Sequence, residues 1–196
     1  MNKMKFCLTA FTTAAWISFS GVAFADTAAL SKTCDGCHGA DSSVPTIAGL
    51  SEFYHADQLL FYRDGDRPCN DATSSSGDTT NMCKLAADLS DDQIDEIAAY
   101  YAGMPFVPVK QAFDAGLAAS GKAIHDRDCE VCHTAGGSSA EDDSGILAGQ
   151  SMSYLEMTLA EYRSGEREQP EPMEKKTSAL SDDDVKALLN YYASQQ

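Results

Sequence analysis

The chain has 196 residues, of which 30 are Asp or Glu and 14 are Lys or Arg, so its formal net charge is −16. A surface this acidic argues against a nucleic-acid or anionic-lipid ligand. It favours a protein partner with a basic docking patch, although solubility alone would select a similar composition.

The first 25 residues are predicted to be a signal peptide (1–25) and not part of the fold. Lys3 and Lys5 form a positively charged start, a mostly apolar stretch without charges follows, and Ala23-Phe24-Ala25 matches a cleavage site. The stretch is short for a retained membrane anchor, and Thr and Ser interrupt it. No second apolar run of spanning length follows, so we expect a soluble protein exported to the periplasm, with a mature chain that starts at Asp26.

One motif occurs twice, as Cys34-Asp35-Gly36-Cys37-His38 and as Cys129-Glu130-Val131-Cys132-His133. Cys-x-x-Cys-His is the attachment signature of a c-type haem. Two thiols on one helical turn form thioethers with the vinyl groups of one porphyrin, and the next residue offers an imidazole nitrogen to the iron. A redox dithiol and half of a zinc site are the alternatives, and two copies in matching surroundings argue against both. The sequence therefore predicts two covalently attached haem c groups. Their attachment residues are Cys34, Cys37, Cys129 and Cys132, and their first axial ligands are His38 and His133.

The segments that follow the two motifs repeat each other, which predicts an all-α protein of two tandem units. A middle helix is expected over residues 51–63 and again over 151–164, each ending at a glycine, Gly65 or Gly165, in the left-handed conformation. Ser90 and Ser181 are predicted N-caps of the last helix in each unit. A short helix is expected before each motif, over Thr27–Cys34 and from Phe113 or Gly116 to Cys129. No segment shows convincing strand alternation.

Met82 and Met173 are the only methionines at equivalent positions of the two units. A thioether is a neutral ligand that stabilises ferrous iron, and core filling is the alternative role of a methionine. Both residues lie in polar surroundings that are predicted to be loops, where a filler is not needed. We therefore expect Met82 and Met173 to be the second axial ligands of the two irons, and we interpret His55 and His125 as ordinary histidines.

Seven cysteines are present, and one of them, Cys7, lies in the predicted signal peptide. Four belong to the two motifs, so Cys69 and Cys83 are left as a pair. An oxidising compartment permits a disulfide between them, and we expect one, with two unpaired thiols as the alternative.

The expected domains are residues 26–103 and 111–196, joined by a linker at 104–110 that two prolines make fairly stiff. Each unit is small for a hydrophobic core of its own, and a buried haem would supply much of that core.

With these motifs, the mature chain resembles the two-domain dihaem class I cytochromes c. The second half is similar to the cytochrome subunit of flavocytochrome c sulfide dehydrogenase. The similar segments are residues 110–114, 129–133, 146–150, 172–176 and 192–196. This resemblance implies a haem subunit that accepts electrons from a separate FAD-containing chain that oxidises sulfide. The first half departs from that subunit, because its segment from Arg67 to Met82 is nine residues longer than the segment from Arg167 to Met173. The alternative is a stand-alone electron shuttle of the c-four type.

An electron-transfer protein without catalytic residues fits these observations best. A haem peroxidase or oxidase needs an open iron position, and the repeat predicts a sixth ligand for both irons. A structural haem protein leaves the second haem unexplained. The chain has no dinucleotide-binding fingerprint, so any flavin belongs to another polypeptide.

Overall fold

The computed structural model describes residues 31, 33–38 and 44–196. The predicted signal peptide and most of the predicted helix Thr27–Cys34 lie outside these residues. In the described part the helices are α1 (Glu52–Asp64), α2 (Met82–Ala86), α3 (Asp91–Ala102), α4 (Ala115–Asp128), α5 (Thr134–Gly137), α6 (Met152–Ser164), α7 (Glu171–Thr177) and α8 (Asp182–Ala193), and the strands are β1 (Asp71–Thr73) and β2 (Thr79–Asn81).

The two middle helices begin and end as their sequences predict. Ser51 and Ser151 cap α1 and α6, with each hydroxyl accepting from the amide three residues on. Gly65 and Gly165 follow these helices with φ of 85° and 78°, a conformation that costs a residue with a side chain extra free energy. The predicted boundaries differ in that the serines are caps and not the first helical residues, and in that α1 ends at Asp64, one residue later than predicted.

The last helix of each unit, α3 or α8, opens with a capping box. Ser90 pairs with Gln93, and Ser181 pairs with Asp184. An arginine of the middle helix then joins the two helices in both units. Arg63 donates to the Leu89 carbonyl and to Asp91, and Arg163 donates to the Leu180 carbonyl and to Asp182. The repeated sequence therefore produces a repeated packing arrangement.

Each half of the chain has its own hydrophobic core. In the first half, Leu59 of α1 packs on Ile94, Ile97 and Tyr101 of α3. Among the described residues, the second core is formed by α4 packed closely along α8, with Tyr154 and Leu155 added by α6. The described residues contain no helix that is long and apolar enough to cross a membrane.

The expectation of no strands was wrong for the long segment of the first half. Strands β1 and β2 pair antiparallel, with Asp71 opposite Asn81 and Thr73 opposite Thr79. Gly77 lies in the connecting turn with φ of 92°, and a disulfide joins Cys69 and Cys83 at the two ends of the segment. Three-residue strands are too short to show alternation in the sequence, and their stability depends on the disulfide and on the packing around them.

Residues 104–114 have no regular structure and are fastened to the second half. Val109 N–H donates to the Gly149 carbonyl, and the Gln111 side chain bonds the backbone of Gln150 and Met152. The predicted linker therefore contacts both units, because Met104 packs on the first core while Val109 is bonded to the second half.

Candidate functional site

The two Cys-x-x-Cys-His motifs have the same backbone geometry. His38 N–H donates to the Cys34 carbonyl at 3.0 Å, and His133 N–H donates to the Cys129 carbonyl at 3.0 Å. Each motif is thus a single turn that brings two thiols and an imidazole together. The four motif cysteines are not disulfide-bonded. The described residues contain no group of three or more His, Cys, Asp or Glu side chains arranged to hold a metal ion.

The imidazole of the first motif is oriented by a backbone carbonyl. His38 Nδ1 donates to the Pro45 carbonyl at 2.9 Å, which leaves Nε2 for a metal. Burial lowers the pKa of His38, and it lowers the pKa of His133 as well. Both imidazoles therefore stay neutral near pH 7, which is the protonation state that a metal ligand requires.

In the second motif the Gly145 backbone takes the place of the Pro45 carbonyl as the hydrogen-bond partner of the imidazole, with poorer geometry. His133 Nδ1 is buried and makes no hydrogen bond of ordinary geometry to the described residues. Gly145 stands where the first half has Pro45. A side chain at Gly145 would meet the Tyr54 hydroxyl of the other half at 2.8 Å. Contact between the two halves therefore explains why the repeat departs from proline at this position.

A tyrosine of the last helix supports each motif. The Tyr101 hydroxyl lies 2.8 Å from Asp35 Oδ1 and 3.0 Å from the Ser31 carbonyl. In the second half, the Tyr192 hydroxyl lies 3.0 Å from Nδ1 of His125, a fully buried residue. The sequence showed the paired tyrosines, but it did not reveal that one of them holds a buried histidine.

The structure places both predicted methionine ligands at the start of short helices, and the expectation that they lie in loops was wrong. Met82 is the first residue of α2 and packs on the first core, as Cys34 does. Met173 lies in the first turn of α7. Lys176 of α7 donates to Asp128, the residue before Cys129, at 2.9 Å. Each methionine thus belongs to an element that lies near the motif of its own half.

Between the two halves lies a cluster of buried arginines and partly buried tyrosine and glutamine side chains that sequence reasoning missed. Gln58 Oε1 accepts from Arg67 Nη1 and from Arg167 Nη2, both at 2.7 Å. Arg67 Nη2 also donates to the Tyr154 hydroxyl at 3.1 Å. The two guanidinium carbons lie 4.5 Å from the ring centroids of Tyr62 and Tyr162. The internal repeat aligns Arg67 with Arg167 and Tyr62 with Tyr162. This alignment was the sequence signal that could have revealed the cluster.

This interface cluster has an excess of positive charge. Burial raises the pKa of the Tyr154 hydroxyl, but the charges of Arg67 and Arg167 outweigh it and bring the pKa to about 8. Arg67 Nε and Arg167 Nη1 are buried without a hydrogen-bond partner among the described residues. Buried guanidinium nitrogens of this kind bind carboxylates well, and a haem carries two propionate carboxylates. The thiol pairs, the neutral imidazoles and these donors all fit a haem.

Other contacts hold the halves together beside the cluster. The Gln150 side chain makes two hydrogen bonds to the Thr46 backbone, at 3.0 and 2.6 Å. Asn70 donates to the buried Glu161 carboxylate at 2.5 Å. Because Thr46 follows Pro45, the first of these contacts lies beside the carbonyl that orients His38.

Comparison with known proteins agrees with this geometry. A cytochrome c family model matches residues 118–196. The thiosulfate dehydrogenase electron acceptor of Stutzerimonas stutzeri (strain A1501) is 31% identical over 179 residues, which are 82% of this chain and 78% of that protein. Reduced cytochrome c4 from Pseudomonas stutzeri superimposes with a TM-score of 0.69 at 25% identity, over 86% of this chain and 97% of that one. Thiosulfate dehydrogenase (TsdBA) from Marichromatium purpuratum superimposes with a TM-score of 0.67 at 29% identity, over 83% of this chain and 36% of that one.

Proposed function

Because this chain belongs to the two-domain dihaem cytochromes c, the family of cytochrome c4 and of thiosulfate dehydrogenase electron acceptors, we propose that it accepts electrons from a dehydrogenase of reduced sulfur compounds. The chain carries two covalently bound haem c groups and is an electron carrier, not a catalyst. The observation that carries the electron-transfer part of the proposal is the pair of equivalent motif turns in two units joined by partly buried polar contacts.

Each haem supplies one iron that changes between the ferric and ferrous states. In our proposal Cys34 and Cys37 hold one porphyrin, and Cys129 and Cys132 hold the other. His38 and His133 would each bind one iron through Nε2, and Met82 and Met173 would each supply a second protein ligand. Arg67 and Arg167 would neutralise haem propionates. We place the two units at 26–103 and 111–196, with a linker at 104–110. Export through a signal peptide (1–25) puts the protein in the periplasm, where c-type haem is attached.

Replacing a proposed methionine ligand tests this assignment. A methionine sulfur bound to ferric haem gives a near-infrared absorption band, and we expect Met173→Ala to remove roughly half of it because one of two thioethers is lost. Met157→Ala, a methionine of the second core, is the control and should leave the band intact. A full-strength band in Met173→Ala would show that another residue binds the second iron.

Thiosulfate dehydrogenase is the electron donor that the relatives favour. Oxidised holoprotein should become fully reduced when catalytic amounts of a thiosulfate dehydrogenase and thiosulfate are added, and no reduction should occur without the enzyme. The readout is the α-band of ferrous haem. If the haems stay oxidised although the dehydrogenase is active, thiosulfate dehydrogenase is not the donor.

A flavoprotein sulfide dehydrogenase chain with FAD is the second candidate donor, because the second half is similar to the haem subunit of such a complex. A permanent complex of that kind needs a large interface, on the order of 2,000 Å². It should stay intact in about 0.5 M salt, where the Debye length is only a few ångströms. Native protein purified in that salt should carry flavin if this candidate is right. A flavin-free haem protein would favour a shuttle of the c-four type or transient use by thiosulfate dehydrogenase.

A further inference from the structure

The two haem-attachment motifs differ in how they are covered. In the first half, the amide of Ser75, at the tip of the β1–β2 hairpin, donates to the Gly36 carbonyl inside the motif at 2.7 Å. The hairpin ends at Asn81, directly before Met82, and the disulfide between Cys69 and Cys83 ties the two ends of the segment. One segment therefore connects the proposed methionine ligand to the thioether motif.

The second half has no such segment, because only five residues separate Arg167 from Met173. Val131, which corresponds to Gly36, is 89% exposed. Cys132 is exposed, whereas its counterpart Cys37 is buried. The same motif is thus open to solvent in one half and covered in the other.

Thioether bonds join the cysteines to the porphyrin periphery, so the cover or exposure of a motif applies to the haem edge attached to it. Electron transfer slows steeply with the distance between two cofactors. A partner that docks at the second motif can bring its cofactor close to a haem edge, and the hairpin holds a partner away from the edge at the first motif.

We propose that external redox partners exchange electrons at the open face of the second motif, centred on Val131, and that the hairpin excludes them from the first motif. This proposal rests on the proposed electron-transfer function. The first haem then exchanges electrons mainly with the second haem, through the interface of the two units. The second haem therefore exchanges electrons with external partners, and the first haem exchanges them within the molecule.

Charge around the open face indicates which partner fits it. Ser144 Oγ donates to the Cys132 carbonyl at 3.0 Å, which places the acidic turn Glu141–Asp143 against the motif. Glu141 and Asp143 are exposed and have no ion-pair partner among the described residues. The basic side chains beside the motif, Arg127 and Lys176, are both paired with Asp128, so the unpaired charge next to Val131 is acidic. An exposed apolar residue with unpaired acidic neighbours suits a redox protein whose cofactor edge has a basic rim.

The test uses reduced holoprotein and the tripositive oxidant tris(1,10-phenanthroline)cobalt(III), followed by stopped-flow absorbance at low ionic strength. Glu141→Lys with Asp143→Lys should slow oxidation about tenfold, because the oxidant is repelled from its main entry. The control, Glu156→Lys with Glu168→Lys, changes two exposed carboxylates of the same half by the same net charge and should alter the rate less than about twofold. Equal rates in the two double variants would overturn the proposal.

A loop exchange tests the hairpin directly. Residues 68–81 are replaced by the five residues that join Arg167 to Met173, and Cys83→Ala removes the unpaired thiol. Oxidation by the cobalt complex should then accelerate, because the oxidant can also reach the first motif. For the same reason, Glu141→Lys with Asp143→Lys should slow oxidation much less than in the wild-type background. An unchanged rate with the full charge effect would contradict the role of the hairpin.

Ser75→Pro removes the N–H that bonds Gly36 and leaves the disulfide in place. This variant tests the role of the hairpin if the loop-exchange variant does not fold. In wild-type holoprotein, the Ser75 amide should be protected from hydrogen exchange, and Ser75→Pro should raise the exchange of the motif peptide around Gly36 together with the oxidation rate. Fast exchange at Ser75 in the wild type would show that the cover is not formed. The cobalt oxidant needs no biological partner, so these outcomes do not depend on which dehydrogenase is the donor.

Discussion

His125 is a buried side chain that joins the second motif to the last helix. Its Nε2 donates to the Glu130 carboxylate at 2.6 Å, and Glu130 also accepts from the Gly136 amide at 3.1 Å. The hydrogen bond from His125, followed by smaller contributions that include the Gly136 amide, holds the pKa of Glu130 below its usual value of 4.5. Glu130 lies between Cys129 and Val131, so this pairing braces the backbone of the attachment motif itself.

Glu130→Gln should therefore change how stability depends on pH. A carboxylate whose pKa is lower in the folded state stabilises the fold fully above its unfolded pKa, here 4.5, and loses that contribution as the pH falls through the folded value. We expect Glu130→Gln to unfold at lower urea concentration than wild type at pH 7 and to approach wild type near pH 3. Glu141→Gln, at an exposed carboxylate, is the control. A difference that stays constant from pH 7 to pH 3 would rule out this ionisation as the cause.

At the scale of elements, α4 and α8 approach closely because α4 has a glycine at the crossing. A Cβ atom on Gly121 would lie 2.0 Å from the Ala187 carbonyl oxygen and 2.8 Å from Tyr191 Cβ. Glycine inside a helix costs roughly 0.5–1 kcal/mol relative to alanine. The close packing of α4 on α8 offsets this cost, because the residues that Gly121 approaches, Ala187 and Tyr191, both belong to the second core.

Gly121→Ala should lower the free energy of unfolding by roughly 1–3 kcal/mol, because overpacking outweighs the better helix propensity of alanine. Gly116→Ala in the first turn of α4 is the matched control. Its Cβ would meet only the Asp114 side chain, at 3.2 Å, and we expect a change of less than about 1 kcal/mol. Urea unfolding of the holoproteins measures both. Equal stability of the two variants would mean that α4 moves away from α8 at little cost.

At the scale of the whole molecule, the interface cluster decides whether the two units act as one body. Gln58 is its central acceptor, because both buried guanidiniums donate to the same side-chain oxygen. Arg67, Arg167 and Tyr154 are all less than a tenth exposed. Unpaired charges at such a site are costly, so the hydrogen bonds that Arg67 and Arg167 donate to Gln58 support the docking of the two units.

Gln58→Leu should destabilise the docked state by about 1–3 kcal/mol, because two buried donors lose their acceptor. We expect calorimetry to resolve two unfolding transitions in place of one. Gln58→Glu places a carboxylate between the two arginines and should preserve a single transition at pH 7. If Gln58→Leu also unfolds in a single transition at the wild-type temperature, the cluster does not couple the units.

Much of the site could be predicted from the sequence because its determinants are local. The two attachment motifs depend on a spacing of a few residues, and the structure forms the same turn at both. The serine caps and the glycine helix ends also depend on near neighbours, and those predictions were confirmed. The internal repeat predicted an all-α fold of two units, and the comparison with cytochrome c4 confirmed that prediction.

The tertiary structure decided what depends on contacts between residues far apart in the chain. The cover over the first motif joins Ser75 to Gly36, and the interface joins Arg67 to Tyr154, 87 residues away. No local pattern specifies which loop carbonyl meets which amide, or which arginine side chain is buried by the other unit. The sequence by itself determined two equivalent haem motifs; the hairpin and the docking of the halves made them unequal, because both are products of long-range packing.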